Sequence, residues 1–187
     1  CKDGMIVGAD RRVTAGGQIV VKKDFQKVIQ INDYLLMAVA GNAADAKMLA
    51  RVASAELRLK ELKTKTQPTV KEAANFIALM SFRNIRAPSM IPSIVGSIVG
   101  GVNADGSTEL YTLEPAGGID EVTDYDANFG SGMAFVLGLL ERKYQKDISV
   151  KEGIELAVEA LKSSTQRDTA SGNGIDVFSI TKSGITH

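Results

Sequence analysis

Residues 27–64 read KVIQINDYLLMAVAGNAADAKMLARVASAELRLKELKT, and the change of period inside that stretch decides the fold class. KVIQIN alternates apolar and polar residues as a half-buried strand does. Asn32-Asp33 is a turn signal, and Tyr34 to Ala40 is a continuous apolar run of the kind found in buried strands. From Ala43 to Thr64 the period becomes helical. Met48, Leu49, Val52, Leu59 and Leu62 stand among charged residues, which predicts an amphipathic helix.

Working outward, Met5–Asp10 and Gln18–Lys22 read as strands on the N-terminal side. On the C-terminal side, Thr69-Val-Lys-Glu72 is a capping box that opens a second helix running to Ile85. Pro88 and Pro92 punctuate a return to strands at Ile94–Asn103 and Thr108–Glu114, joined as a hairpin across Ala104-Asp105-Gly106. A third helix is expected after Gly130-Ser131-Gly132, ending at Tyr144. A fourth follows the second capping box, Ser149-Val-Lys-Glu152, with Val150, Ile154, Ala157, Val158 and Leu161 on one stripe. Gly174–Thr181 with a turn at Lys182-Ser183-Gly184 forms a last hairpin. Strands and helices thus come in blocks, which predicts an α+β architecture of antiparallel sheets flanked by helix pairs, not a doubly wound parallel sheet. Residues 1–187 carry no linker or short repeat and are expected to form one domain. Asp3-Gly4 is a hairpin signal with a strand after it and two residues before it, so a partner strand is expected upstream of Cys1.

Composition narrows the chemistry. Lys and Arg number 22 and balance 22 Asp and Glu, leaving no clustered basic excess for nucleic acid or an anionic membrane. The longest apolar stretch, Ser89–Val102, is interrupted by proline, serine and glycine and is too short for a membrane span. One cysteine and no signal-peptide pattern suit a reducing, cytoplasmic location. The single histidine, His187, is the last residue of the sequence, so Ser–His and Cys–His catalysis have no imidazole in a structured site. Zinc chemistry lacks ligands for the same reason, and no metal or other cofactor is expected. Proton transfer must therefore fall to Asp, Glu, Lys, Ser, Thr, Tyr or a chain terminus.

Each candidate residue has a plain alternative when taken singly. Asp10, before Arg11-Arg12, reads more readily as a solvated turn charge, and Lys27 as an exposed strand-end lysine. Gly130-Ser131-Gly132 reads as a helix-opening turn, and Arg167-Asp168-Thr-Ala-Ser171-Gly172 as an ordinary loop. Ala40-Gly41 reads as tight packing at a strand end.

Their combination is specific. GAD10RRVT, KVIQI from Lys27, AVAG41 with Ala44-Asp45-Ala46, Gly130-Ser131-Gly132 and RDTASGNGID from Arg167 occur in order. From Cys1 to Ile180 the chain resembles the β-type subunits of the proteasome core particle, most closely the archaeal type. These are N-terminal nucleophile hydrolases with a four-layer αββα sandwich. The resemblance implies a threonine-type endopeptidase whose N-terminal threonine hydroxyl attacks the peptide and whose own α-amine acts as base. An α-amine has a pKa of about 7.7–8, which suits a chain without a usable histidine. By the same resemblance, Lys27 would sit beside the threonine hydroxyl and Asp10 would hold Lys27. Ser131, Asp168 and Ser171 would surround the α-amine, and the Gly41 N–H would bind the oxyanion. Thr14 would pair with extended substrate through its backbone, while Val13, Val39 and Ala43 would line an apolar pocket.

The threonine itself would lie upstream of Cys1. Cys1 matches the end of the family's first strand and would lie a strand's length from Lys27 and Gly41, too far to replace it. The segment between Asp10 and Lys27 is one residue longer than the family pattern. Ala44 stands where glycine is common and Thr169 where serine is common. The implied partners are other β-type subunits in a seven-membered ring, α-type ring subunits, an ATPase unfoldase and unfolded polypeptide. Two other readings remain: a non-catalytic structural ring subunit, which would have no chemical need for Asp10, Lys27 and Asp168 together, and the bacterial relative with six-membered rings, which the RDTASG block fits less well.

Overall fold

A computed structural model describes residues 1–127 and 129–187. The chain order is β1 (Gly4–Asp10), β2 (Val13–Ala15), β3 (Ile19–Lys22), β4 (Val28–Asn32), β5 (Leu35–Gly41), α1 (Ala43–Thr64) and α2 (Val70–Arg86). Then come β6 (Val95–Val102), β7 (Thr108–Leu113), β8 (Ile119–Glu121), α3 (Met133–Lys143), α4 (Val150–Thr165), β9 (Ile175–Thr181) and β10 (Gly184–Thr186). The expected strands and helices all form, with ends shifted by a residue or two. The three-residue strands β2 and β8 are additions, too short for any period to register in the sequence.

Strands β4-β5-β6-β7-β8 make one antiparallel sheet, β1-β9-β10 a second, and β2-β3 a separate hairpin. Helices α1 and α2 cover the outer face of the first sheet, α4 lies on β1 and β9 with α3 packed against α4, and the two sheets face each other. That arrangement is the αββα order expected from the block pattern. Its core is built from Leu36, Val99 and Ile180, with Ile77 of α2 equally sealed.

Close approach between layers depends on β6, which reads VGSIVGGV. A Cβ on Gly100 would meet Met5 Sδ of the facing sheet at 2.5 Å, and one on Gly101 would meet the Tyr34 carbonyl at 2.5 Å and Val70 of α2 at 2.9 Å. The two glycines thus let a sheet in on one side and a helix in on the other. Because the Tyr34 oxygen belongs to the backbone and cannot rotate away, Gly101→Ala is expected to cost about 2 kcal/mol, read as a lowered urea midpoint with unchanged m-value.

The helices start where local chemistry sets them. Thr69 Oγ1 accepts from Glu72 N at 3.1 Å while Thr69 N donates to Glu72 Oε2 at 2.9 Å. Ser149 and Glu152 repeat the exchange at α4, and Asn42 Oδ1 caps α1 by accepting from Ala44 N and Asp45 N. The buried stripe of α1 differs from expectation. Ala46, Leu49, Ala50, Ala53 and Leu57 face the sheet, whereas Met48, Leu59 and Leu62 are exposed. Small alanines allow the helix to lie close on the sheet, so three of them share the buried stripe with Leu49 and Leu57 while other large apolar side chains stay outside.

Candidate active site

Strand β1 is the outermost strand of its sheet: it pairs with β9, with Asp10 opposite Ile175, and has no second partner among the described residues. A cavity of about 240 Å³ is lined by Cys1 and by β1 from Met5 to Asp10, with Val39 and Ile98 of the facing sheet, Leu140 of α3 and Leu156 and Leu161 of α4 completing its wall. The polar groups gather there as well, since Asp10, Lys27, Gly130, Gly132 and Ser171 also line it.

Asp10 closes β1 and is buried, at 8% exposure. Its Oδ1 accepts from Lys27 Nζ at 2.6 Å, and its Oδ2 accepts from Arg12 N and Gly172 N, both at 2.9 Å. The solvated-turn reading of Asp10 therefore fails. Lys27 immediately precedes β4 and is fixed by its own carbonyl, which accepts from Val39 N at 3.0 Å.

The second cluster comes from two loops. Asp168 follows α4, and its Oδ2 accepts from Ser131 Oγ and from Ser171 Oγ, each at 2.5 Å. Its Oδ1 accepts from Ala170 N at 3.2 Å. Burial pushes the Asp168 carboxyl up, but these three donors and the Lys27 charge outweigh it, and the group lies below its ordinary 3.8. Burial likewise works to raise Asp176, and the Arg11 and His187 hydrogen bonds with their charges bring it below 3.8. A carboxyl depressed by folding contributes stability that is complete above its unfolded pKa and is lost as pH falls through the folded value. The melting temperature should therefore drop steeply below about pH 4. Asp168→Asn should flatten that limb, measured by thermal melts between pH 2 and 5.

The remaining candidates are placed as follows. Gly41 ends β5 with φ 110° and directly precedes the Asn42 cap. Val39 is buried in β5, and Ala43 opens α1. Val13 and Thr14 lie on the β2-β3 hairpin. Val13, Thr14, Gly41 and Ala43 stand outside the lining of the β1 cavity, whereas Val39 borders it. Cys1 is exposed at the opposite end of β1 from Asp10, and strand rise alone puts about 20 Å between Gly4 and Asp10.

Two residues of this region escaped the sequence reading. Arg12 donates from Nε to Asn173 Oδ1 at 2.8 Å and from Nη1 to the Thr169 carbonyl at 2.7 Å. Arg11 forms an ion pair with the buried Asp176. The Arg-Arg pair was visible in the sequence, but nothing local says which carboxylate or carbonyl each would reach. Chemically, the site offers an ammonium held by a carboxylate and a second carboxylate holding two hydroxyls. Such a pair of clusters can stabilise an alkoxide and relay a proton. No group of three or more His, Cys, Asp or Glu side chains among the described residues could hold a metal ion.

The family model for the proteasome subunit matches residues 1–180. The chain belongs to the proteasome subunit family. Its similarity lies with β subunits. It is 38% identical to the proteasome subunit beta of Nanoarchaeum equitans over 184 residues, covering 98% of this chain and 91% of the relative. It is 38% identical to that of Methanosarcina mazei, covering 97% and 83%, and 36% identical to that of Methanocaldococcus jannaschii, covering 99% and 80%. The archaeal β-type resemblance and the α+β sandwich of an N-terminal nucleophile hydrolase thus agree with both the sequence comparison and the layers described above. Proteasome β chains assemble with other proteasome subunits, and threonine peptidase activity is general, not universal, among them. No helix among the described residues is long and apolar enough to cross a membrane.

Proposed function

We propose that this proteasome β-type chain is a catalytic subunit, a threonine-type endopeptidase that degrades unfolded protein inside a barrel-shaped assembly. The observation that carries the reading is that the Lys27–Asp10 pair and Ser171, which shares the Asp168 carboxylate with Ser131, line one apolar cavity beside β1. The nucleophile is a threonine at the free N-terminus of a strand that precedes Cys1 and pairs with β1. A strand of about six residues spans roughly 20 Å, the length of β1 from its start to Asp10. Such a strand would set its first residue against Lys27 Nζ.

In the reaction, Lys27 stabilises the threonine alkoxide and Asp10 orients Lys27. The α-amine takes the hydroxyl proton, directly or through water, and passes it to the leaving amine. Ser131, Asp168 and Ser171 fix that amine by hydrogen bonds. The Gly41 N–H binds the oxyanion next to the N-terminus of α1, where the helix dipole favours negative charge. The Thr14 backbone pairs with extended substrate, and Val13, Val39 and Ala43 make the pocket for the residue before the cut apolar. Seven-membered β rings, α-type rings and an ATPase unfoldase in the cytoplasm complete the particle. Confinement in that chamber supplies the selectivity that an apolar pocket lacks.

The test is N-terminal sequencing and intact mass of the protein produced from its full-length gene, together with hydrolysis of a fluorogenic peptide carrying an apolar residue before the cut. A mature chain that begins with threonine and turns the peptide over supports the reading. Any other first residue, or no turnover by the assembled particle, overturns it in favour of a structural ring subunit.

A further inference from the structure

The loop from Asp168 to Gly174 carries two of the polar groups of the site, and its glycines leave its backbone path to be chosen by its contacts. Gly172, Asn173 and Gly174 have φ of 150°, 63° and 102° in succession. Glycine takes such conformations at little cost and asparagine tolerates the left-handed region, so the loop can adopt this path but has many others open to it, and contacts must select the one observed. Here those contacts come from Arg11 and its neighbours. Arg11 N donates to the carbonyls of both Gly172 and Gly174, each at 3.2 Å. The Arg11 side chain passes beside Gly174, whose Cβ position would lie 3.5 Å from Arg11 Cδ, and reaches Asp176, placing Nε 3.0 Å from Oδ1 with Nη2 bonded to the same oxygen. Asp176 lies two residues beyond the loop on β9, opposite Ala9, and its side chain is 5% exposed. His187 Nε2 reaches the same Oδ1 at 3.1 Å while its ring stacks on Phe178.

We infer that Asp176 is a positioning residue of the site: by anchoring Arg11 it holds the 168–174 loop in the one backbone shape that brings Asp168 and Ser171 to Lys27 and Asp10. The role follows from connectivity. Gly172 N is also the donor to Asp10 Oδ2, so the loop shape that Arg11 enforces delivers a hydrogen bond to the partner of Lys27. Asp176 itself is not among the residues lining the cavity and acts only through Arg11. Both guanidinium nitrogens converge on a single carboxylate oxygen, so a point cation can satisfy it. That makes lysine a conservative replacement at position 11, although it is a poor one where two oxygens are gripped side by side.

The inference rests on the peptidase reading for its kinetic consequence but not for its structural one, and the experiment separates the two. The full-length, assembled protein is compared with Asp176→Asn, Arg11→Met and Arg11→Lys by hydrogen exchange of the loop amides and by peptide hydrolysis. Asp176→Asn and Arg11→Met should speed exchange at Gly172 by about 10-fold and lower kcat by 10- to 100-fold with KM unchanged, because misplacement of a catalytic group by about 1 Å costs that much. Arg11→Lys should restore both to near the parent values. Unchanged exchange in Asp176→Asn, or an Arg11→Lys chain as impaired as Arg11→Met, overturns the inference. A parent particle that hydrolyses no peptide sinks the peptidase reading instead, and the exchange arm still decides the role of Asp176.

Discussion

Lys27→Ala is expected to lower peptide hydrolysis by the assembled particle about 1,000-fold while leaving assembly largely intact, with a smaller loss of stability than Asp10→Ala. In the proposed mechanism, the rate loss follows from removing the cation that would stabilise the threonine alkoxide. Electrostatic and acid–base groups of this kind are worth about 10²–10⁴ in rate. The tolerance of the fold follows from what remains. Without Lys27, Asp10 Oδ2 still accepts from Arg12 N and Gly172 N, so the buried carboxylate keeps two donors and is not stranded. Peptide turnover and the melting temperature, measured on the same preparation, check both halves. Near-parent turnover would remove Lys27 from the mechanism.

Asp10→Ala should be worse, and in a different way. Its removal strips an acceptor from three donors at once: Lys27 Nζ, Arg12 N and Gly172 N. The Lys27 side chain is only 20% exposed, so a largely desolvated ammonium loses its counter-charge. Breaking such a pair by deleting one partner costs about 3 kcal/mol. The variant should therefore lose activity as Lys27→Ala does and also melt several degrees lower. Asp10→Asn keeps an oxygen in place without the charge, and should recover much of the stability with little of the rate. A variant Asp10→Ala with parent stability would mean that the three donors find water instead.

The contrast between these two substitutions depends on burial, and burial was the part of the site least legible beforehand. Asp10 and Lys27 could be singled out through the ordered motifs, but taken singly the same two residues read more readily as solvated charges. Only the folded chain, by bringing Gly172 to Asp10 across 162 positions, makes Asp10 an interior carboxylate. The second cluster was legible as a set of residues and not as a geometry. Ser131 and Asp168 are separated by 37 positions, and their bond exists because the loops before α3 and after α4 end side by side. Arg11 and Arg12 stood in plain view without a readable role, since their partners lie 165 and 161 residues away.

What the sequence determined by itself was the order of strands and helices, the two capping boxes and the identity of the titratable groups available for chemistry. Those are short-range properties: a period needs about two turns of helix or a few residues of strand, and a capping box needs four residues. The tertiary structure alone decided which face of α1 is buried, where Ala46, Ala50 and Ala53 displace the larger Met48 and Leu59. It alone recruited β2 and β8 into strands. It also bent the 168–174 loop onto Arg11. The reason is the same in each case. Local propensity differences amount to a few tenths of a kcal/mol per residue, whereas close packing of layers and the pairing of buried charges are worth several kcal/mol and are settled by residues far apart in the chain.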